Sequence, residues 1–319
     1  MVPTPHPAAS KHSPRRPDSG RNGRQRIHIV TDSASAFPNP ETALRPDVTV
    51  LPLTIHIGTH SFLDQNGNTF EAIRPLLGCR STLPVIASPS VEAFLSTFQS
   101  ISRHTHNILC LLSSGCLCRA VRNARAAAES FAGRLNITVV DSLTTSAGIG
   151  FLIGETLRIA DQGASLDTIV RHLRYLVPRM YAVFFVEDLA YLQHTGKISR
   201  AQVMLGEMLG IKPFLSLEEG GLVPLEKVQT REQGVEKLVE FVSEFTHLHR
   251  LAVVYNTNDG QGHGRLLYQR VREMFPACPV SVTALGAAVA SIFGPRSSGL
   301  VVFDLPPGIR AQASEEMVP

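Results

Sequence analysis

Two Asp-Ser pairs stand at matching places in the chain. "IHIVTDSASAFP" carries an apolar run into Asp32-Ser33, and "NITVVDSLTTSAG" carries another into Asp141-Ser142. In a parallel sheet, ligands collect at the carboxyl ends of strands, near the point where strand order reverses. Two carboxylates there could hold a metal or activate water for phosphoryl chemistry. Asp and Ser after a strand also cap the helix that follows, by accepting from its free N–H groups. With no HxH, HExxH or second acidic cluster nearby, capping is the economical reading, and Ser33 and Ser142 are left to line a crevice.

Other catalytic signatures are missing. The chain has no GxSxG elbow, no GxxxxGK[ST] loop and no GxGxxG after a strand. The glycines of "NDGQGHGR" (258–265) could form an anion nest beside His263, but a surface turn before a helix explains them equally. The five cysteines, Cys79, Cys110, Cys116, Cys118 and Cys278, have no zinc-ligand spacing. Reduced thiols in a cytoplasmic protein are expected, with no metal.

The elements that would position these residues alternate in type. Strands are expected at 27–31, at 47–64 (one or two), at 107–114 and at 136–142. A helix could open after "SASAFPNPE". Helices are expected at 88–104, capped by Ser88 or Ser90, at 117–133, at 146–163 and at 165–180. Repeated βα units imply a mostly parallel sheet with helices on both faces. After residue 176 the pattern changes. A strand "YAVFFVEDL", two short helices around Gly196, a hairpin around residues 218–221, further helices near 230–248 and 262–275, and strands "RLAVVYN", "VSVTALG" and "GLVVFDLP" suggest an α+β mixed-sheet unit. The expected division is a disordered basic tail at 1–26, an N-terminal α/β domain at 27–175, a C-terminal α+β domain at 176–310 and a flexible end at 311–319.

Composition limits the function. The chain has 319 residues, of which 44% are apolar and 18% charged. Trp is absent, so aliphatic side chains must fill the core. The net charge of +3 is misleading, because the tail holds six Lys or Arg (Lys11, Arg15, Arg16, Arg21, Arg24, Arg26) against Asp18. That tail is +5, which leaves −2 for the rest and no nucleic-acid-like basic surface. The tail lacks the apolar stretch of a secretory signal. No run is apolar and long enough for stable membrane insertion.

The middle of the chain is the most specific segment. Leu189, Tyr191-Leu192, Gly196-Lys197-Ile198-Ser199, Leu209, Ile211-Lys212-Pro213, Gly220-Gly221 and Lys227-Val228 follow an ordered pattern. Together with Thr31-Asp32-Ser33, Leu51-Pro52-Leu53, Asp64, Pro89-Ser90, Asp141-Ser142 and Gly294-Pro295, they resemble the DegV family over about 27–305. The resemblance implies a two-domain α/β protein that buries one fatty-acid chain between its domains. It implies a carrier and not an enzyme, with a long-chain fatty acid or related lipid as ligand and a fatty-acid kinase as candidate partner. A buried acyl chain needs no catalysis to bind firmly, since each CH₂ contributes about 0.8 kcal/mol.

The sequence departs from the family where the carboxylate is held. The resemblance places the lipid site at Ser33, Ile86, Ser88, Ser90, Cys118, Arg119, Ile292 and Arg296. A family Thr-Ser reads Ile86-Ala87, a Ser reads Cys118, a His reads Ile292, and a Gly reads Arg296. Loss of these donors should weaken binding of a plain carboxylate. Arg119 and Arg296 could compensate with a bidentate grip on a carboxylate or phosphate, or simply point to solvent. Two other readings stay open: a hydrolase or phosphotransferase using Asp32 and Asp141, and an interaction protein that no longer binds lipid. The surface at Gly196–Arg200 is a candidate partner contact.

Overall fold

The computed structural model describes residues 26–65, 68–78, 82–194, 196, 198–258 and 263–306. Residues 1–25 of the expected tail, the end at 311–319, Cys79, Lys197 and the glycines at 260 and 262 lie outside these residues.

The first unit starts with Ile27–Asp32 (β1), Val48–Leu51 (β2), Thr54–Ile57 (β3) and His60–Leu63 (β4). Thr69–Leu77 (α1), Val85–Ala87 (β5), Val91–Ile101 (α2) and Asn107–Leu112 (β6) follow. Ala120–Glu129 (α3), Asn136–Asp141 (β7), Ala147–Asp161 (α4) and Leu166–Leu176 (α5) complete it. Strands β2-β1-β6-β7 form a parallel sheet of four, and β4-β3-β5 form a small antiparallel sheet beside it.

The second unit holds Met180–Phe185 (β8), Leu189–His194 (α6), Arg200–Met208 (α7), Lys212–Glu218 (β9) and Gly221–Val228 (β10). Arg231–Ser243 (α8), Leu248–Tyr255 (β11), His263–Met274 (α9), Val280–Ala284 (β12), Ala287–Phe293 (α10) and Ser298–Asp304 (β13) follow. Its six strands run β10-β9-β8-β13-β11-β12, antiparallel except for the β11–β12 pair. The α/β class with one parallel and one mixed sheet is as the sequence implies.

Local chemistry explains where the elements differ from expectation. Residues 47–64 make three strands, because Pro52 cannot donate to a ladder and Gly58, at φ +58°, turns β3 back into β4. The helix after "SASAFPNPE" is one 3-10 turn, Pro40–Leu44, capped by Asn39 and stopped before Pro46. The helix expected at 117–133 covers only Ala120–Glu129, because the loop before it is held by other contacts. Ser90 and Ser165 cap α2 and α5.

The core is layered. Within β6, Ile108, Cys110 and Leu112 face Phe94 and Phe98 of α2 and Ala124 of α3, while Leu109 and Leu111 face the other way. Strand β8 divides likewise: Ala182 and Phe184 look toward the first unit, and Val183 and Phe185 toward Leu238 of α8 and Val271 of α9. Helix α4 lies between the two sheets and is apolar nearly all round, as a helix with no solvent face must be. Its Gly150 permits the close approach, since a Cβ there would sit 2.1 Å from the Ala36 carbonyl oxygen. One apolar cluster therefore joins both units through α4, α5 and α10. No helix among the described residues is long and apolar enough to cross a membrane.

Candidate functional site

The two Asp-Ser pairs do not cap helices, which corrects the capping expectation. Asp32 ends β1, is fully buried, and accepts from the Ala34 N–H at 3.1 Å, the Ser113 N–H at 2.8 Å and the Ser113 hydroxyl at 2.7 Å. Asp141 ends β7 and accepts from the Gly115 N–H at 3.2 Å and 3.1 Å, and from the Leu143 N–H at 3.0 Å. Strand β6 lies between β1 and β7. Both carboxylates thus grip the loop leaving β6, one from each side. Parallel order makes this possible, because all three strands end at the same edge of the sheet.

The grip organises a polar line. Ser113 Oγ lies 3.1 Å from Cys118 Sγ. The Ser88 hydroxyl accepts the Arg119 N–H at 2.7 Å. Burial, with the Asp32 charge added, pushes the Cys118 thiol up, so it is the neutral thiol that sits in this line. Burial also raises the carboxyl of Asp32, against its three hydrogen bonds.

A second acid closes the other side. The Ser33 hydroxyl donates to Asp64 Oδ2 at 2.9 Å and accepts the Leu53 N–H at 3.0 Å. Burial raises the Asp64 carboxyl, while Ser33, the Ala288 N–H and Thr69 lower it in part. Asp64 thus ties Ser33 after β1 to the end of β4. Around that tie Ala34, Leu53 and Ala288 form a small apolar cluster, with Ile86 packed on it. Ile292 lies one turn further along α10, buried in the main core beside Phe293, which stacks on Phe184 at 4.1 Å between ring centroids.

The hairpin of the second unit covers the same edge. Gly220, at φ +80° in the β9–β10 turn, accepts from the Ser114 hydroxyl through its carbonyl at 2.7 Å. Helix α6 reaches across as well, with the Tyr191 hydroxyl donating to the Leu77 carbonyl at the end of α1.

Of the residues assigned from the sequence, Cys118 meets Ser113, Ser88 accepts the Arg119 N–H, Ser33 bonds Asp64, Ile86 packs on Ala34, Leu53 and Ala288, and Ile292 is buried in the main core. Ser90 is exposed and caps α2, accepting the Ala93 N–H at 3.2 Å. Arg119 is exposed, and only its backbone joins the line. Arg296 lies elsewhere, in a cleft of about 460 Å³ with Arg74, Tyr191 and Asn256, and its guanidinium is 3.4 Å from Glu187. Among the described contacts, none joins Arg119 to Arg296. Ser113 is a site residue that the sequence reading did not single out. Its signal was a Ser-Ser doublet closing the apolar run "NILCLL", a polar strand end like the two Asp-Ser pairs. Among the described residues, no group of three or more His, Cys, Asp or Glu converges as a metal site would, and the four described cysteines are free.

Residues 26–305 match the family model described as "Uncharacterised protein, DegV family". The chain belongs to the DegV family. A DegV domain-containing protein of Deinococcus radiodurans is 31% identical over 225 residues, 70% of this chain and 78% of that relative. A DegV family protein from Thermus thermophilus, solved for its fatty acid binding, has a TM-score of 0.73 at 27% identity over 88% of this chain and all of its own. The Fatty Acid Kinase (Fak) B3 protein of Streptococcus pneumoniae, loaded with linoleic acid, has a TM-score of 0.76 at 20% identity over 88% and 99%. At that identity the likeness shows the shared fold alone. Tyr191 and the Gly220 turn of this DegV chain touch both units, so motifs that mark the family also join its two halves.

Proposed function

We propose that this DegV chain is a non-catalytic lipid carrier that buries an acyl chain between its two halves, divided near residue 175, and presents the head group to a partner kinase. The observation that carries the reading is the apolar cluster of Ala34, Leu53 and Ala288, with Ile86 packed on it, where the start of α10 meets the loops after β1 and β2. The Thermus thermophilus relative supports the ligand class, and the Streptococcus pneumoniae protein supports a kinase as the partner. We place the head group near Ser33, Ile86, Ser88, Cys118 and Ile292. Arg119 stands at the exposed end of that line, Ser90 at the start of α2, and Arg296 across α10. Asp32 and Asp141 act in this reading as clamps of the β6 loop, since backbone N–H groups hold both.

Native mass spectrometry of freshly purified protein, followed by extraction and identification of released molecules, tests the proposal. One lipid per chain is expected. Protein of bare chain mass that also fails to take up added lipid would overturn it.

A further inference from the structure

We propose that a cleft on the face of the second sheet that α8 covers binds a linear aliphatic amine with two or more ammonium groups. The cleft lies on the opposite side of that sheet from the first unit, so its ligand is independent of any lipid held between the units.

Strand alternation sets the floor. In β9, Leu215 and Leu217 face the first unit, while Phe214 faces α8. Ser216 and Glu218 share the side of Phe214. These three line a cleft of about 530 Å³ between strands β8 to β10 and the last turns of α8. Tyr181 of β8 and Phe241 and Phe245 of α8 give it an aromatic side. The Phe245 ring lies 4.7 Å from Tyr181 and 5.2 Å from Phe241 between centroids. On the edge strand β10, the register shifts between Pro224 and Glu226. That bulge lets the consecutive residues Leu225 and Glu226 both line the cleft, where a regular strand would send them to opposite faces.

The charge around the cleft is negative against the interests of the fold. Glu218, Glu226, Glu240 and Glu244 line it with a single cation, Lys237. Glu240 and Glu244 stand four residues apart on α8, a like-charge spacing that costs stability. They also stand at the C-terminal end of that helix, where its dipole disfavours anions. A bound cation relieves both costs. Lys237 already places an ammonium there, 3.1 Å from Glu226 and 2.7 Å from Glu240. Glu218 and Glu244 have no cation among the described ion pairs.

Ser216 points to the same ligand class. It is 5% exposed, lines the cleft, and its hydroxyl has no partner among the described hydrogen bonds. Its oxygen can accept from an ammonium on a floor that is otherwise apolar. Aromatic faces attract the same ammonium and pack against its methylene stem. A bare metal ion fits less well, since no group of three or more ligating side chains converges among the described residues.

Spermidine titrated into full-length protein by isothermal calorimetry, at about 150 mM salt, tests the proposal. Saturable binding at one site per chain is expected. Glu218→Gln and Glu244→Gln should each weaken it about tenfold. Phe245→Leu, which keeps an apolar side chain and removes the ring face, should weaken it about threefold. Glu129→Gln, an exposed acid on α3, should leave it unchanged. No saturable binding would overturn the proposal. Equal weakening by Glu129→Gln and Glu244→Gln, or displacement by equimolar magnesium, would reduce the binding to diffuse charge attraction and overturn it too. Saturation by a lysine-rich peptide with none by spermidine would overturn the small amine and give the cleft to a protein partner. Each of these results leaves the carrier reading standing.

Discussion

The Ser113 hydroxyl meets Asp32 Oδ2 at 2.7 Å across 81 residues of chain, with the Ser113 N–H on the same oxygen. This contact fixes the end of β1 to the end of β6. Ser113→Ala removes the hydroxyl but keeps the N–H donor, so it should cost about 1–2 kcal/mol. Asp32→Ala leaves the buried N–H groups of Ala34 and Ser113 without their acceptor and should cost more, about 2–4 kcal/mol. Urea denaturation of both variants measures the order, and a larger loss for Ser113→Ala would contradict it.

The Gly220 turn joins the two halves in a conformation that L side chains rarely adopt. A Cβ at Gly220 would lie 2.4 Å from Ser114 Oγ and 3.1 Å from a Leu143 methyl. Gly220→Ala should therefore lower stability by about 1–3 kcal/mol. Gly221→Ala, with the Glu218 carbonyl oxygen 3.6 Å away as its nearest neighbour, should cost less than Gly220→Ala. Thermal melts of the two variants compare them directly.

Glu187 holds two arginines of unequal burial. Arg231, with a side chain 17% exposed, donates to Glu187 Oε2 at 2.5 Å, while Arg296 is 60% exposed. Removing Arg231 leaves a buried carboxylate with only a solvent-screened partner, so Arg231→Ala should cost about 2–4 kcal/mol. Arg296→Ala should cost no more than about 1 kcal/mol. Equal losses in chemical denaturation would show that burial does not distinguish the pairs.

Asp64 gives the fold a pH dependence of known sign. Its carboxyl is raised by burial from the ordinary value of 3.8, so the folded state holds the proton more tightly than the unfolded chain. The stability this contributes is full below the unfolded pKa and is lost as pH rises through the folded one. Asp32, raised for the same reason, adds a loss of the same sign. Asp64→Asn cannot ionise. Its melting temperature should therefore gain on the wild type as pH rises from 4 to 8. A difference constant across that range would rule out an elevated Asp64.

The elements were legible because their signals are local. The unbroken apolar run of "NILCLL" and the helical spacing of Phe94 and Phe98 depend on neighbours a few residues away. The ordered motifs were enough to suggest the family, and with it the two-sheet architecture. Two misreadings share one cause. Asp32 and Asp141 looked like helix caps, and Ser113 was passed over. Each assignment depends on which strand ends are adjacent.

What the sequence by itself determined was the set of strands and helices and the excess charge of its first residues. What only the tertiary structure decided was the use of each polar group. Placing β6 between β1 and β7 puts Ser113 under Asp32 and Gly115 under Asp141. A hydrogen bond needs its partner within about 3 Å, and which residues come that close over 81 positions is settled by strand order, not by spacing along the chain.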